Sequence, residues 1–193
     1  MIIGITGGTG CGKTTLLKTI REKGGLILDC DAIYHQLLKT DPALLSAIEA
    51  RFPGVVENGQ LQRKKLGNIV FQNEAALKDL NAITHAAVKQ EVQRLIRPDV
   101  QLVAIDAIAL FESGLASLCD VTVAVTAPED DRIHRLMARD GISQEYARNR
   151  IRAQHDDRWF RIKCDYVLEN DGTMDAFATK CIAFLQQIGI MVS

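Results

Sequence analysis

The chain has 193 residues, 47% of them apolar and 24% charged, with a formal charge of −1. That length holds one domain, or one core with an insertion, and excludes a multidomain machine. The composition excludes general disorder, and the charge balance argues against a protein whose whole surface grips nucleic acid, leaving room only for a local basic site.

Cys11, Cys30, Cys119, Cys164 and Cys181 are odd in number and widely spaced, with no CxxC pair, so neither a disulfide framework nor a zinc site is expected. The chain opens on a strand pattern that leaves no room for a secretory leader. Its most apolar stretch, Val100 to Phe111, is too short to span a bilayer and is broken by Asp106. A cytoplasmic protein is expected.

In chain order, the first strand is expected at Ile2–Thr6. Directly after it comes Gly7-Gly8-Thr9-Gly10-Cys11-Gly12-Lys13-Thr14, a full GxxxxGKT phosphate loop opening a helix. Its glycines let successive N–H groups point inward at phosphate oxygens, and the helix N-terminus adds a favourable dipole. Gly8, Gly10, Cys11, Gly12, Lys13, Thr14 and Thr15 are therefore candidate nucleotide contacts. Lys13 is expected to reach the β and γ phosphates, and the Thr14 hydroxyl to ligate Mg²⁺.

A second strand, Leu26–Leu28, ends in Asp29-Cys30-Asp31. In a parallel sheet this end opens on the same crevice as the phosphate loop, which places a carboxylate near it. The competing expectation is that one of these acids caps a helix beginning near Ala32. From about Asp41 to Arg97 the pattern is helical, with Asp41-Pro42 as N-cap and first helical residue. A stripe of Leu77, Leu80, Ile83, Ala87, Val88, Val92, Leu95 and Ile96 is expected to pack inward, and Phe52–Gln60 is expected to be a loop.

Strands are again expected at Leu102–Ile105 and Val121–Val125. Asp106, at the end of the first of these, either holds magnesium through water or is a solvated strand end. Pro128-Glu129-Asp130 opens a helix. Between residues 132 and 161 lie Arg132, Arg135, Arg139, Arg148, Arg150, Arg152, Arg158 and Arg161 against four acids, a local charge of +4. Arg135 and Arg139 share one helix face, as do Arg148 and Arg152. Such arginines suit phosphate oxygens when a lid closes, although solvated helix faces carry arginines too. A last strand at Tyr166–Leu168 precedes a helix capped by Thr173, with Met174, Phe177, Cys181, Phe184 and Leu185 on its inner face and Gly189 near its end.

Consecutive apolar positions in short strands, alternating with helices, define an α/β fold around a parallel sheet covered on both faces. The guanine-reading [NT]KxD is absent, its nearest text being Ile162-Lys163-Cys164-Asp165. Asp106 is followed by Ala107 rather than by a glutamate that would activate water. A kinase therefore fits better than a hydrolase.

On these residues the chain resembles the dephospho-CoA kinase family over essentially its whole length. The family's TGGxGxGK[ST] is matched by Thr6–Thr14, its DxD by Asp29-Cys30-Asp31, and its RxxLxxx[IV]F by Arg63, Leu66, Val70 and Phe71. LNxxxH is matched by Leu80 to His85, and DxPLL[FV]E by Asp106 to Glu112. The lid motifs RD and RIxxQ correspond to Arg139-Asp140 and Arg150-Ile151-Arg152-Ala153-Gln154, and DxV[IL]xNxG to Asp165 through Gly172. The family usually carries prolines that shape loops near the acceptor site, where this chain has Ala86 and Ile108.

The resemblance implies a P-loop kinase fold with a five-stranded parallel sheet flanked by helices. Its nucleotide core would occupy about 1–40, 98–135 and 160–193, with a helical acceptor-binding insertion at about 41–97 and a lid at about 136–159. It implies ATP-dependent phosphorylation of the ribose 3′-hydroxyl of dephospho-CoA, with ATP and Mg²⁺ and no nucleic acid, membrane or obligate protein partner. Asp31, Lys13 and Arg139 would be catalytic, with Asp31 also touching the acceptor. Arg63, His85 and Asp106 would help bind the acceptor, and Thr14 and Asp106 would serve the metal. A kinase with another nucleoside or nucleotide acceptor, and an ATP-binding regulatory module without transfer, remain the alternatives.

Overall fold

The computed structural model of the chain describes residues 1–190. In chain order it contains β1 (Ile2–Thr6), α1 (Lys13–Glu22), β2 (Leu26–Asp29), α2 (Cys30–Thr40), α3 (Pro42–Arg51), β3 (Val56–Glu57), β4 (Gln60–Leu61), α4 (Arg63–Val70) and α5 (Glu74–Leu95). There follow β5 (Val103–Asp106), a 3₁₀ turn at Leu115–Leu118, β6 (Val121–Thr126), α6 (Glu129–Asp140), α7 (Gln144–Arg152), α8 (Asp157–Lys163), β7 (Tyr166–Glu169) and α9 (Met174–Gln187). Five strands form one parallel sheet in the order β2-β5-β1-β6-β7.

Alternate residues of the strands feed two cores, as the two-residue period of a strand requires. Ile3, Ile5, Ala104, Val123 and Val125 face Leu16 and Ile20 of α1 and Phe177, Cys181, Phe184 and Leu185 of α9. Leu28, Val103 and Ile105 face the other way, onto Leu37 and Leu38 of α2, Ile48 of α3, and Val88 and Val92 of α5. The expected parallel sheet, covered on both faces, is what forms.

β1 lies in the middle of the sheet, and at Gly4 its second face is approached closely. A Cβ there would stand 2.7 Å from Cys119 Sγ and 2.9 Å from Leu110 Cδ2. Gly4→Ala should therefore destabilise the protein by about 1–3 kcal/mol, the usual cost of overpacking. The check is a lower urea midpoint with an unchanged m-value.

The expected caps form. Asp41 accepts from the amides of Ala43 and Leu44 with Pro42 at the first helical position, and Thr173 accepts from Ala176 N. Asp29 caps α2, which starts at Cys30, two residues before the expected helix start.

Three local expectations are corrected. Residues 52–60 are not simply a loop, because β3 and β4 pair antiparallel, with Glu57 opposite Gln60. The two residues between them, Asn58 and Gly59, both have positive φ, 52° and 73°. Asn-Gly is the preferred pair for a two-residue hairpin turn of that kind. Glu49 pins the segment by accepting from Gly54 N (2.6 Å) and Val56 N (2.7 Å). Met174, assigned to the inner face of α9, is 77% exposed at the first turn, while the other four residues of that face are buried. On α5, Ala76 and Thr84 are buried and Leu77 is exposed, so the inward face begins one residue earlier than the leucine pattern suggests.

Among the described residues no helix is long and apolar enough to cross a membrane.

Candidate active site

The phosphate loop runs from the carboxyl end of β1 into α1. Gly7 has φ 129°, and a Cβ there would lie 2.2 Å from Val125 O, so only glycine lets the loop turn against β6. Gly12, at φ 94°, is the residue that caps α1. Lys13 follows it, and its Nζ donates across the loop to Gly7 O at 3.0 Å. Thr14 is exposed in the first turn of α1, and Thr15 N closes a turn onto Gly12 O at 3.1 Å.

Beside the lysine opens a cavity of about 380 Å³, lined among others by Lys13, Asp29, Asp31, Tyr34, His85, Asp106 and Ile108. The carboxylates converge because β2 and β5 are neighbours in register, with Asp29 opposite Asp106. Asp29 Oδ1 is spent on the cap of α2, accepting from Asp31 N and Ala32 N at 3.0 Å each. Asp31, two residues on in the first turn of α2, has no such duty. Burial pushes the Asp106 carboxyl above the usual range; Lys13 opposes this, and the charges of Asp29 and Asp31 add to it. Burial, helped by the same three acids, pushes the Cys30 thiol up to about 12, so it stays protonated.

The insertion supplies the far wall. Arg63 begins α4, exposed, with Nη2 3.3 Å from His35 Nδ1. It is absent from the lining of the cavity but is linked to it through Tyr34, whose hydroxyl is pushed up by burial, is lowered by Arg63 and feels Asp31. His85 sits in the middle of α5. Burial lowers its pKa, and Glu112 opposes that. Position 86 is therefore inside a continuous helix, where Ala86 keeps the N–H that a proline would remove. Ile108 does lie in a turn, 54% exposed at the rim of the cavity, and its carbonyl accepts from Thr6 Oγ1 at 3.1 Å.

The third group is the arginine-rich segment. Arg139 lies in the last turn of α6, held by two bonds to Asp140 (2.7 and 2.9 Å), which Arg150 also contacts at 2.6 Å. These guanidinium contacts pull the Asp140 carboxyl down to about 2. The arginines that touch the phosphate loop are others on the same helix. Arg132 Nε donates to Thr9 O at 3.0 Å, and Arg135 Nη1 to Gly10 O at 3.1 Å. Arg139 lies about 10 Å further along the axis than Arg132 at 1.5 Å per residue. Gln154 Oε1 accepts from Thr9 N at 2.8 Å, and buried Asn170 donates to Cys11 O at 2.9 Å. The pairing of Gln154 and Asn170 with the loop, and the placement of Tyr34 in the cavity, had no local signal beyond the motifs in which the first two sit.

After α7, His155 Nε2 pairs with Glu112 Oε1 at 2.7 Å and stacks on Trp159 at 3.8 Å, and Trp159 meets Phe111 edge-on at 5.5 Å. The segment rich in arginine is thus tied to the stretch after β5 as well as to the phosphate loop.

A glycine loop and lysine at the end of the central strand, acids from two further strands on one crevice, and a basic helix behind the loop together define a P-loop phosphotransferase. The dephospho-CoA kinase family model matches residues 1–176. Dephospho-CoA kinase of Geobacillus kaustophilus is 38% identical, with 97% of this chain and 96% of that protein covered. Among solved structures, TT1252 from Thermus thermophilus matches with a TM-score of 0.78 at 34% identity, covering 97% of each chain. Dephospho-CoA kinase from Campylobacter jejuni matches with a TM-score of 0.66 at 26% identity, covering 97% of this chain and 96% of that one. The chain belongs to the dephospho-CoA kinase family, and it is a kinase.

Proposed function

We propose that this chain transfers the γ-phosphoryl group of ATP to the ribose 3′-hydroxyl of dephospho-CoA, giving CoA and ADP, with Asp31 and Lys13 at the centre of the reaction. The observation that carries the reading is that both side chains line one cavity, of a size that takes a nucleoside-sized group. Asp31 accepts the proton of the attacking hydroxyl as the oxygen bonds to phosphorus, the bond to the ADP oxygen breaks, and ADP leaves. Lys13 stabilises the charge on the migrating group.

Residues 41–97 act as the acceptor-binding insertion, with Arg63 and His85 toward dephospho-CoA, and residues 136–159 act as the lid. Support comes from His85 on the cavity wall, Tyr34 between Arg63 and Asp31, and the contacts of Gln154 and His155 with the core. Arg139 serves the transferring phosphoryl group only when its pairing with Asp140 is exchanged for the phosphate.

The donor set fits Mg²⁺. Among the described residues no group of three or more His, Cys, Asp or Glu is arranged to hold a metal. Magnesium does not need one, since it binds through phosphates with one or two protein oxygens. Thr14 and Asp106 would hold it, and it would supply charge neutralisation between the β and γ phosphates.

The test is an acceptor panel with ATP and Mg²⁺. Dephospho-CoA should be turned over, and nucleosides and nucleoside monophosphates at least about a hundredfold less well, since a site built around a substrate's polar groups rejects analogues strongly. Turnover of a nucleotide alone would give the other kinase reading, and ATP binding with no turnover of any acceptor would give the regulatory module.

A further inference from the structure

Arg132 is an unusual residue for the position it occupies. It is 94% buried, since its relative exposure is 6%, and lies behind the phosphate loop. Its Nε donates to Thr9 O, while its Nη2 is buried with no hydrogen-bond partner. That nitrogen is pressed against Gly8, where a Cβ would lie 2.1 Å from it, so residue 8 has room for hydrogen only.

The acids around it are engaged elsewhere. Asp131 pairs with Arg135 at 4.0 Å, Glu129 with Arg148 at 3.3 Å, and Asp156 caps α8. Asp157 lines the same cavity of about 360 Å³ as Arg132 and acts electrostatically on Arg161, with no ion pair to Arg132 among the described residues. A guanidinium taken out of water without a partner carboxylate costs free energy that hydrogen bonds alone do not return. A polyanion on the other side of a loop made of glycine and small residues would return it.

We infer that Arg132 is a positioning residue for the nucleotide's phosphates: from behind the loop it fixes the Thr9 peptide and supplies a buried, unpaired positive charge that bound polyphosphate neutralises. The inference rests on ATP being the phosphate donor, as proposed above. It differs from a structural role in sign. A side chain that merely props the loop stabilises the free protein, whereas an uncompensated charge destabilises the free protein and stabilises the liganded one.

The experiment measures, for the wild type, R132Q, R132M and R132K, the melting temperature of the free protein, the affinity for tripolyphosphate and ADP, and both KM values. R132Q removes the charge and keeps a donor for Thr9 O. It should melt no lower than wild type, bind tripolyphosphate and ADP about tenfold more weakly, the scale of one charge-assisted interaction, and raise KM for ATP likewise with KM for dephospho-CoA unchanged. R132M should show the same loss of affinity. R132K should keep tripolyphosphate affinity within about threefold, because it keeps the charge.

R132Q melting lower than wild type with tripolyphosphate affinity retained would overturn the inference, as would loss of the fold in both R132Q and R132M. Failure of the wild type to bind ADP or tripolyphosphate at all would overturn instead the reading that ATP is the donor.

Discussion

Replacing Asp31 by asparagine should lower kcat by about a hundredfold or more while ATP still binds within a few-fold of wild type. Loss of a general base costs on that order, and asparagine keeps the shape and the hydrogen-bonding reach of the side chain. Three carboxylates line the cavity, and their surroundings differ. Asp29 spends Oδ1 on two amides at the start of α2, which fixes its carboxylate at the helix end. Asp106 is half-buried at the end of β5 and sits within the influence of Lys13. Asp31 remains, close to Tyr34 and the insertion from which the acceptor would approach. Single-turnover phosphoryl transfer, measured beside equilibrium binding of ADP, separates the chemical step from nucleotide binding. An unchanged kcat would shift the base to Asp106.

The second large effect is expected from Lys13→Met, with kcat/KM for ATP falling by about a thousandfold. One preorganised donor aimed at developing charge is worth roughly a hundred to a thousandfold in a site shielded from water, and here the loss of a full positive charge is added. Lys13 is the cation on a cavity wall that otherwise carries Asp29, Asp31 and Asp106. Without it, three acids would face the phosphates of the donor uncompensated. Methionine preserves the length of the side chain, and α1 is held by Leu16 and Ile20 in the core rather than by Lys13, so the fold should persist. A circular dichroism melt within a few degrees of wild type, alongside the loss in a coupled ADP-release assay, is the expected pair of results. Wild-type transfer by this variant would remove the lysine from the mechanism.

Much of this site is legible along the chain because local rules write it. A strand, a glycine loop and a helix are adjacent residues, so GxxxxGKT announces its own geometry, and the acids at strand ends follow from the direction of a parallel sheet. The Asn58-Gly59 turn was written locally as well; β3 and β4 are two residues each and sit inside a stretch otherwise dominated by helical periodicity, which masked them. Met174 failed for a different reason. It keeps the register of α9 but stands at the first turn, where the helix has not yet come over the sheet.

What the chain did not disclose is which member of a like-charged set does what. Asp29 and Asp31 are two residues apart and chemically alike, and only the path of the backbone into α2 commits the first to capping. Arg132, Arg135 and Arg139 recur along one helix, yet the distance of each from the phosphate loop depends on where α6 docks. Its near end meets the loop, so Arg132 and Arg135 touch carbonyls there, while Arg139 is carried past it to Asp140. The sequence by itself determined the sheet, the phosphate loop, the acids that could serve it and the family. The tertiary structure alone decided which arginines of α6 meet the phosphate loop and which of them is buried with a nitrogen left unpartnered. Such placements depend on contacts between residues far apart in the chain, 123 positions between Thr9 and Arg132 and 159 between Cys11 and Asn170, and no local pattern encodes such a distance.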